Sequence, residues 1–219
     1  MVKVNRSFPA PKSLEIEKQK LSGTYNTPDV VEQLMHDFGN KCYICEVNNL
    51  QDPEIEHLIP HHNGKYRDLE FDWENLFWSC GHCNSVKKCS EYDAGILDCC
   101  KEDPELVIGF FYQEGNVIVK ALKENDEIVD RTVKLLNDVY NKTNTGMREI
   151  KCAVRAKGIE EEMNTLYKLL LEYSEAPTNA LTKRKIKVLL ARTSAFAAFK
   201  RQYIRDNIEK YGELESYLK

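Results

Sequence analysis

Two neighbouring stretches, EIEHLIPHHNG (residues 54–64) and DWENLFWSCGHCNSVKK (residues 72–88), carry most of the reactive side chains of this sequence. The first has three histidines within six positions, and an acidic residue directly precedes the first of them. The second contains a Cys-x-x-Cys pair that is followed at once by an asparagine. Proteins use side chains of these types for metal binding and for proton transfer. Together with the cysteines that precede them, these stretches make residues 41–88 the segment that holds nearly all of the metal-type chemistry.

Two Cys-x-x-Cys pairs, separated by 34 residues, account for four of the eight cysteines. Each pair makes a tight turn that aims two sulfurs at one ion, and four thiolates suit tetrahedral zinc. Four thiolates leave no open coordination position, so we expect a structural zinc; the alternative is that both pairs are accidental. The predicted ligands are Cys42, Cys45, Cys80 and Cys83. The remaining cysteines lack this spacing and are interpreted as core or incidental thiols: Cys89, Cys99, Cys100 and Cys152.

The side chains left outside the cysteine pairs suit a second kind of metal chemistry. Glu56 stands directly before His57, and Asn84 follows the last cysteine, whose turn fixes its backbone. Carboxylate and amide oxygens are hard ligands of the kind that magnesium or manganese prefers. A histidine can take a proton from water near neutral pH. Together these groups are what metal-assisted phosphodiester hydrolysis requires.

In order and spacing, residues 42–88 resemble the His-Asn-His (HNH) endonucleases with a four-cysteine zinc ribbon, whose ββα-metal core surrounds the active site. The resemblance implies that His57 is the general base and that Glu56 and Asn84 bind the catalytic Mg²⁺ or Mn²⁺. It further implies that Asn75, in the sequence WENL, braces the loop that bears the base. Cleavage by this chemistry leaves 5′-phosphate and 3′-hydroxyl ends.

Two positions depart from the usual pattern of that family. Glu56 stands where aspartate is common, and Asn84 stands where histidine is frequent. Asparagine in that place favours a magnesium-type ion over a nitrogen-seeking metal. His61 and His62 are further candidates, either for contact with the scissile phosphate or for completing the metal shell. His82, inside the second cysteine pair, is expected to be exposed.

The sequence outside the cysteine region predicts an α+β protein. A short helix is expected with Thr27 as its N-cap, Pro28 as its first residue and Gly39 as its end. Two β-rich runs around a Gly-Asn turn predict a hairpin within residues 106–122. Helical periodicity then extends over residues 125–141, 145–174 and 179–210. The expected segments are an arm and helix (1–40), an HNH zinc-ribbon nuclease core (41–92), and a hairpin with a mainly helical C-terminal region (93–219).

From Thr178 to Arg205 the sequence has eight lysine or arginine residues and no acidic residue. Apolar residues run through this segment at helical spacing, so one face can pack while the other presents a basic ridge. Such a ridge is either a solvated face or a surface for phosphates or for an acidic partner. The residues predicted to make the contact are Lys183, Arg184, Lys185 and Lys187.

Composition limits the compartment and the partners. The formal net charge of −4 means that any anion-binding surface is local. No stretch approaches the roughly 18 uncharged apolar residues that a membrane span needs. No signal peptide is recognisable either, so we expect a cytoplasmic protein without membrane contact.

The expected function is a metal-dependent HNH endonuclease that cuts DNA, with RNA open as a second substrate. The layout of the chain also looks like the nuclease subunits of Septu-type and retron-linked antiphage systems, in which an HNH protein works with a partner ATPase. That likeness implies the effector nuclease of an ATPase-coupled defence system. A further alternative is a regulated toxin subunit that is inert until its ATPase partner releases it, which the low positive charge of the chain suits. The competing class is a non-catalytic zinc module that binds nucleic acid or a protein partner. This class explains the cysteines but gives no reason for Glu56, His57, Asn75 and Asn84 in that order.

Overall fold

The structure, a computed structural model, describes all 219 residues and has an α+β fold, as predicted. The helices are α1 (Lys12–Lys18), α2 (Pro28–Asp37), α3 (Arg67–Glu70), α4 (Gly81–Lys87), α5 (Glu127–Asn141), α6 (Gly146–Glu175), α7 (Ala180–Leu190), α8 (Ala197–Asp206) and α9 (Ile208–Tyr211). The strands are β1 (Pro53–His57), β2 (Leu76–Cys80), β3 (Ile108–Gln113) and β4 (Asn116–Ala121). None of the helices is both long enough and apolar enough to cross a membrane.

The cysteine region forms a small unit of two strands and one helix. β1 and β2 pair antiparallel, with Pro53 opposite Cys80 and His57 opposite Leu76. All five residues of β2 are buried, and α4 begins at the next residue and packs against both strands. The sheet and the helix therefore hold the end of β1 and the first turns of α4 close to each other.

Local signals placed α2 and the hairpin correctly. Helix α2 begins at Pro28 after Thr27, and Gly39 lies just beyond its end with the positive φ (60°) that glycine adopts without strain. β3 and β4 form the predicted hairpin, but its turn consists of Glu114 and Gly115, both with positive φ. Asn116 is already the first residue of β4, because two left-handed residues suffice to reverse the chain in this kind of turn.

The long helix predicted over residues 179–210 is interrupted between α7 and α8, so that prediction is wrong in its middle. The carbonyl oxygens of Arg192 and Ser194 accept hydrogen bonds from the Lys41 ammonium group. The amide of Phe196 donates to the carbonyl of Glu46 at 3.2 Å, and Phe196 has a left-handed φ of 47°. Residues distant in sequence thus take the backbone groups that a continuous helix would need for itself.

One large hydrophobic core joins the three predicted segments. It contains 40 buried residues, drawn from the N-terminal arm, the cysteine region, the hairpin and helices α5, α6 and α8. A second cluster of nine buried residues connects the C-terminal half of α6 with α7 and the last turns of the chain. The segments 1–40, 41–92 and 93–219 therefore share one main core, and 93–219 contains a second, smaller cluster of its own.

The N-terminal arm packs directly on the cysteine region through Arg6. Its guanidinium group donates to the carbonyls of Trp73 at 2.7 Å and Leu76 at 2.8 Å. The same group lies over the rings of Phe38, Trp73 and Phe77, with distances to the ring centres between 4.8 and 5.6 Å. Hydrogen bonds and cation–π contacts together fix the arm beside the start of β2.

The continuous basic ridge expected from Thr178 to Arg205 is absent, because half of its cations are used inside the protein. Lys200 and Arg201 are completely buried. Arg201 pairs with the buried carboxylate of Glu105 at 2.7 Å, and Arg205 contacts the same carboxylate at 2.9 Å. Arg192 pairs with Asp103 at 2.6 Å. The outward-facing cations of this segment are therefore concentrated on α7.

The Glu105 carboxylate makes a testable contribution to stability. Glu105→Gln keeps the side-chain shape but leaves the buried Arg201 without its counter-charge, and breaking a buried pair in this way costs about 3–5 kcal/mol. Urea denaturation followed by circular dichroism should show that loss. The control is Glu102→Gln on an exposed neighbour, which should unfold like the wild type. Equal stability of all three proteins would contradict the assigned role of Glu105.

Candidate functional site

The two Cys-x-x-Cys pairs meet in space, as the sequence predicted. The sulfurs of Cys42, Cys45, Cys80 and Cys83 all lie within 4.8 Å of one another, and all four residues are buried. The first pair occupies the turn after α2, Cys80 ends β2, and Cys83 lies in the first turn of α4. Four converging thiol donors in a buried pocket are the donor set that a zinc-like metal ion takes. The group could therefore hold such an ion.

A buried cation supports this cysteine group from the C-terminal region. Arg155 of α6 is 8% exposed, and its guanidinium group donates to Sγ of Cys80 at 3.1 Å. Hydrogen bonds from the other three thiols, with the added charge of Arg155, hold the pKa of Cys80 far below its usual value. A guanidinium group in this position offsets negative charge on the sulfurs where water cannot do so.

His57 lies at the end of β1 with one ring nitrogen already engaged. Its Nε2 is 3.0 Å from the carbonyl oxygen of Glu70. Because a carbonyl oxygen can only accept, Nε2 carries the proton and Nδ1 keeps a free lone pair in the neutral ring. Burial, with smaller contributions from His61 and Lys87, lowers the pKa of His57 to about 4. The ring is therefore neutral near pH 7 and able to accept a proton at Nδ1.

Asn75 joins the two ends of the loop that follows β1. Its amide nitrogen donates to the carbonyls of Ile59 at 2.9 Å and Leu69 at 2.8 Å. Its amide oxygen accepts from the backbone N–H of Ile59 at 2.8 Å, and its own carbonyl accepts from Leu58 at 2.9 Å. Asn75 is 5% exposed. The side chain thus closes the loop from Leu58 to Leu69 at its base, directly behind His57.

Glu56 points into the protein, where both carboxylate oxygens are engaged. Oε1 pairs with the ammonium group of Lys87 at 2.6 Å, and Oε2 accepts a hydrogen bond from the hydroxyl of Tyr43. The residue is 5% exposed, and burial raises the pKa of Glu56 although the charge of Lys87 opposes that change. Lys87 also donates to the carbonyls of His57 and Leu58, each at 2.9 Å. Glu56 and Lys87 therefore form a buried pair next to His57.

Asn84 contacts a different carboxylate from the one the sequence suggested. Its amide nitrogen donates to Oε2 of Glu54, which is exposed and lies two residues before Glu56 on the same face of β1. Asn84 and Lys87 are three residues apart and share one face of α4. Two side-chain pairs therefore join β1 to α4: Glu54 with Asn84, and Glu56 with Lys87. In a strand, side chains two residues apart lie on the same face, and this spacing from Glu56 was the sequence signal that could have identified Glu54.

An open cavity of about 540 Å³ lies over these groups. Its lining includes Tyr25, Glu56, His57, His61, His62, Asn84 and Lys87. Tyr25, which sequence reasoning missed, stands edge-on to the ring of His57 with 4.7 Å between ring centres. It reaches the site from the segment between α1 and α2, and no local pattern in that segment indicates this contact. The cavity thus brings the predicted base and both predicted ligands of the catalytic ion, Glu56 and Asn84, to the same surface.

The other histidines take different positions. The rings of His61 and His57 are 4.4 Å apart, and Nδ1 of His61 accepts from the N–H of Gly64 at 2.9 Å. His62 is exposed in the turn that follows, with a left-handed φ of 51°. The expectation that His82 is exposed is wrong: it is 6% exposed, and its Nε2 donates to the carbonyl of Val139 at 3.0 Å. His82 is therefore a packing residue between α4 and α5.

The basic residues singled out on α7 lie in a separate part of the molecule. α7 packs into the second hydrophobic cluster through Ile186 and Leu190. Lys183 pairs with Glu213 at 3.0 Å, whereas Lys187 is exposed. The remaining two basic residues border an open groove of about 510 Å³ between α6 and α7, together with apolar side chains: Arg184, Lys185, Leu181 and Val188. The structure therefore does not bring these cations to the histidine cavity.

Comparison with known proteins adds no family assignment to this geometry. Neither a protein-family model, nor a curated protein, nor a solved structure matches the chain.

Proposed function

We propose that this protein is a metal-dependent endonuclease of the HNH type that hydrolyses phosphodiester bonds in DNA. The observation that carries the proposal is the state of His57, a neutral imidazole with Nδ1 free beside a cavity that Asn84 also lines. The antiparallel pair β1–β2 followed by α4 supports it, because a ββα-metal core has these elements in this order. A packing histidine would not need a cavity of that size beside it.

His57 acts as the general base in the proposed reaction. Its Nδ1 takes a proton from a water molecule, whose oxygen attacks the phosphorus while the bond to the 3′-oxygen breaks. The 3′-oxygen leaves with the bonding electrons and takes up a proton from solvent to give the 3′-hydroxyl end. The carbonyl of Glu70 keeps Nε2 protonated and stabilises the positive charge that the ring acquires. Asn75 fixes the loop that follows His57, so that the imidazole ring of His57 is already oriented before the reaction begins.

The oxygen ligands around the cavity fit a magnesium-type ion. Asn84 would hold it together with a carboxylate of β1, since amide and carboxylate oxygens are the donors that such ions prefer. When bound, a Mg²⁺ or Mn²⁺ ion would act as a Lewis acid that stabilises negative charge on the phosphate and on the leaving oxygen. The four cysteines would hold a structural Zn²⁺ that fixes the start of α4, and with it Asn84.

We further propose that the enzyme works with a partner, as the nuclease subunits of ATPase-coupled antiphage systems do. The groove between α6 and α7 supports a partner surface, because apolar Leu181 and Val188 are more than 60% exposed there beside Arg184 and Lys185. The same groove favours the second candidate function, a zinc module that binds a protein partner without catalysis. The two candidates differ in what they predict for His57.

The proposed zinc site predicts one Zn²⁺ per chain. Cys80→Ser removes one of four ligands and the sulfur that Arg155 contacts, so the protein should lose both zinc and the fold of its core, because binding energy in such sites is folding energy. Atomic absorption and circular dichroism measure both effects. Cys89→Ser, on an exposed cysteine outside the cluster, is the matched control and should keep its zinc. Full zinc content in Cys80→Ser would contradict the assignment.

The proposed base predicts a specific loss of cleavage. His57→Ala should keep its zinc, its circular dichroism spectrum and its affinity for DNA, but lose Mg²⁺- or Mn²⁺-dependent cleavage by about 10²–10⁴-fold. The measurement is single-turnover cleavage of labelled DNA, with the partner ATPase present if the isolated chain is inactive. The control is His36→Ala, whose exposed side chain lies outside the cavity. Equal cleavage by wild type and His57→Ala would show that His57 is not the base and would reject the HNH assignment, whereas absence of cleavage by the wild type with the partner present would leave the zinc module.

A further inference from the structure

We propose that Glu54, together with Asn84, is the carboxylate that binds the catalytic divalent ion, and that Glu56 is instead the buried counter-ion of Lys87. This assignment rests on the proposed nuclease function and specifies which side chains serve it. It departs from the resemblance to HNH enzymes, which points to the residue directly before the base.

The surroundings of Glu56 argue against direct metal binding by that residue. Both of its oxygens already have partners, Lys87 at 2.6 Å and the hydroxyl of Tyr43, and the residue is 5% exposed. Binding an ion through Glu56 would deprive Lys87 of its counter-charge at a position where Lys87 is itself only 5% exposed. Breaking a buried ion pair in that way is strongly unfavourable. The Glu56–Lys87 pair is therefore a structural part of the strand–helix contact.

Glu54 meets the requirements that Glu56 does not. It is exposed in a second cavity of about 550 Å³ that shares Tyr25 and Asn84 with the His57 cavity, and its only side-chain partner is the amide of Asn84. A half turn of that amide exchanges its nitrogen for its oxygen, which would then face the same point as the carboxylate. One negatively charged and one neutral oxygen donor, both open to water, suit an ion that keeps several of its water ligands.

Gly81 makes room for the carboxylate of Glu54 against α4. A Cβ atom added at Gly81 would stand 2.8 Å from Oε1 of Glu54, closer than carbon and oxygen atoms normally approach. The carboxylate is the flexible end of a long side chain, so Gly81→Ala would displace it without moving the backbone. The glycine thus provides a way to shift Glu54 while keeping its charge.

The experiment measures Mn²⁺ binding to the full zinc-loaded chain without DNA, by electron paramagnetic resonance titration. Glu54→Gln and Gly81→Ala should each weaken Mn²⁺ binding by about tenfold or more, the loss typical of a disturbed metal site. Glu56→Gln should keep its Mn²⁺ affinity within about twofold but unfold at a lower urea concentration, because Lys87 loses its partner. Asp52→Asn, which removes an equal charge two residues before Glu54, is the matched control and should bind Mn²⁺ like the wild type.

Three outcomes would overturn the assignment: loss of Mn²⁺ binding in Glu56→Gln with retention in Glu54→Gln, an equal loss in Asp52→Asn and Glu54→Gln, or absence of Mn²⁺ binding in the wild type. If Glu56→Gln does not fold, Glu54→Gln, Gly81→Ala and Asp52→Asn decide the question alone. Cleavage is measured separately. His57-dependent cleavage that survives in Glu54→Gln rejects the assignment but keeps the nuclease. Mn²⁺ binding through Glu54 without any cleavage rejects the nuclease but keeps the metal site.

Discussion

Four sulfur atoms packed into one buried pocket are the constraint on which this structure depends. Thiolates so close together repel one another, and a buried charge needs a partner, so the group requires cations nearby. Arg155 supplies one from a helix that lies 75 residues further along the chain than Cys80. The cysteine pairs also fix the end of β2 and the start of α4. The β1–β2 sheet, α4 and the long helix α6 are thereby all joined at this point.

Features with local causes could be predicted from the sequence. The Cys-x-x-Cys spacing marks the sulfur cluster, and Thr27, Pro28 and Gly39 mark the limits of α2. The interruption between α7 and α8 has a cause that is distant in sequence, because Lys41 and Glu46 form hydrogen bonds with the backbone of that segment. The buried cations Lys200 and Arg201 are of the same kind. The acidic partners of Lys200 and Arg201 lie 38 and 96 residues away in the sequence. Helical periodicity does not indicate such distant pairs, so it assigns both cations to a solvated basic face.

The candidate site divides in the same way. The cluster of chemistry in residues 54–88 is visible in the sequence, and His57 and Asn84 do line one cavity. The partners of Glu54 and Glu56 could not be predicted from the sequence, because they depend on how α4 packs across β1. That crossing brings Lys87 to Glu56 and Asn84 to Glu54. Tyr25 shows the limit most clearly, since it enters the cavity from a segment with no regular structure of its own.

The hydrogen bonds of Asn75 have a consequence for how the loop after β1 can vary. Its amide group ties Ile59 to Leu69, so the ends of the loop stay joined whatever lies between them. Lengthening a loop whose ends are already held costs little, about 0.6 kcal/mol for each doubling of its length. The exposed tip around Asn63 can therefore accept inserted residues while His57 keeps its place. A fluorescent label attached there would report on events beside the imidazole without replacing any group that holds it.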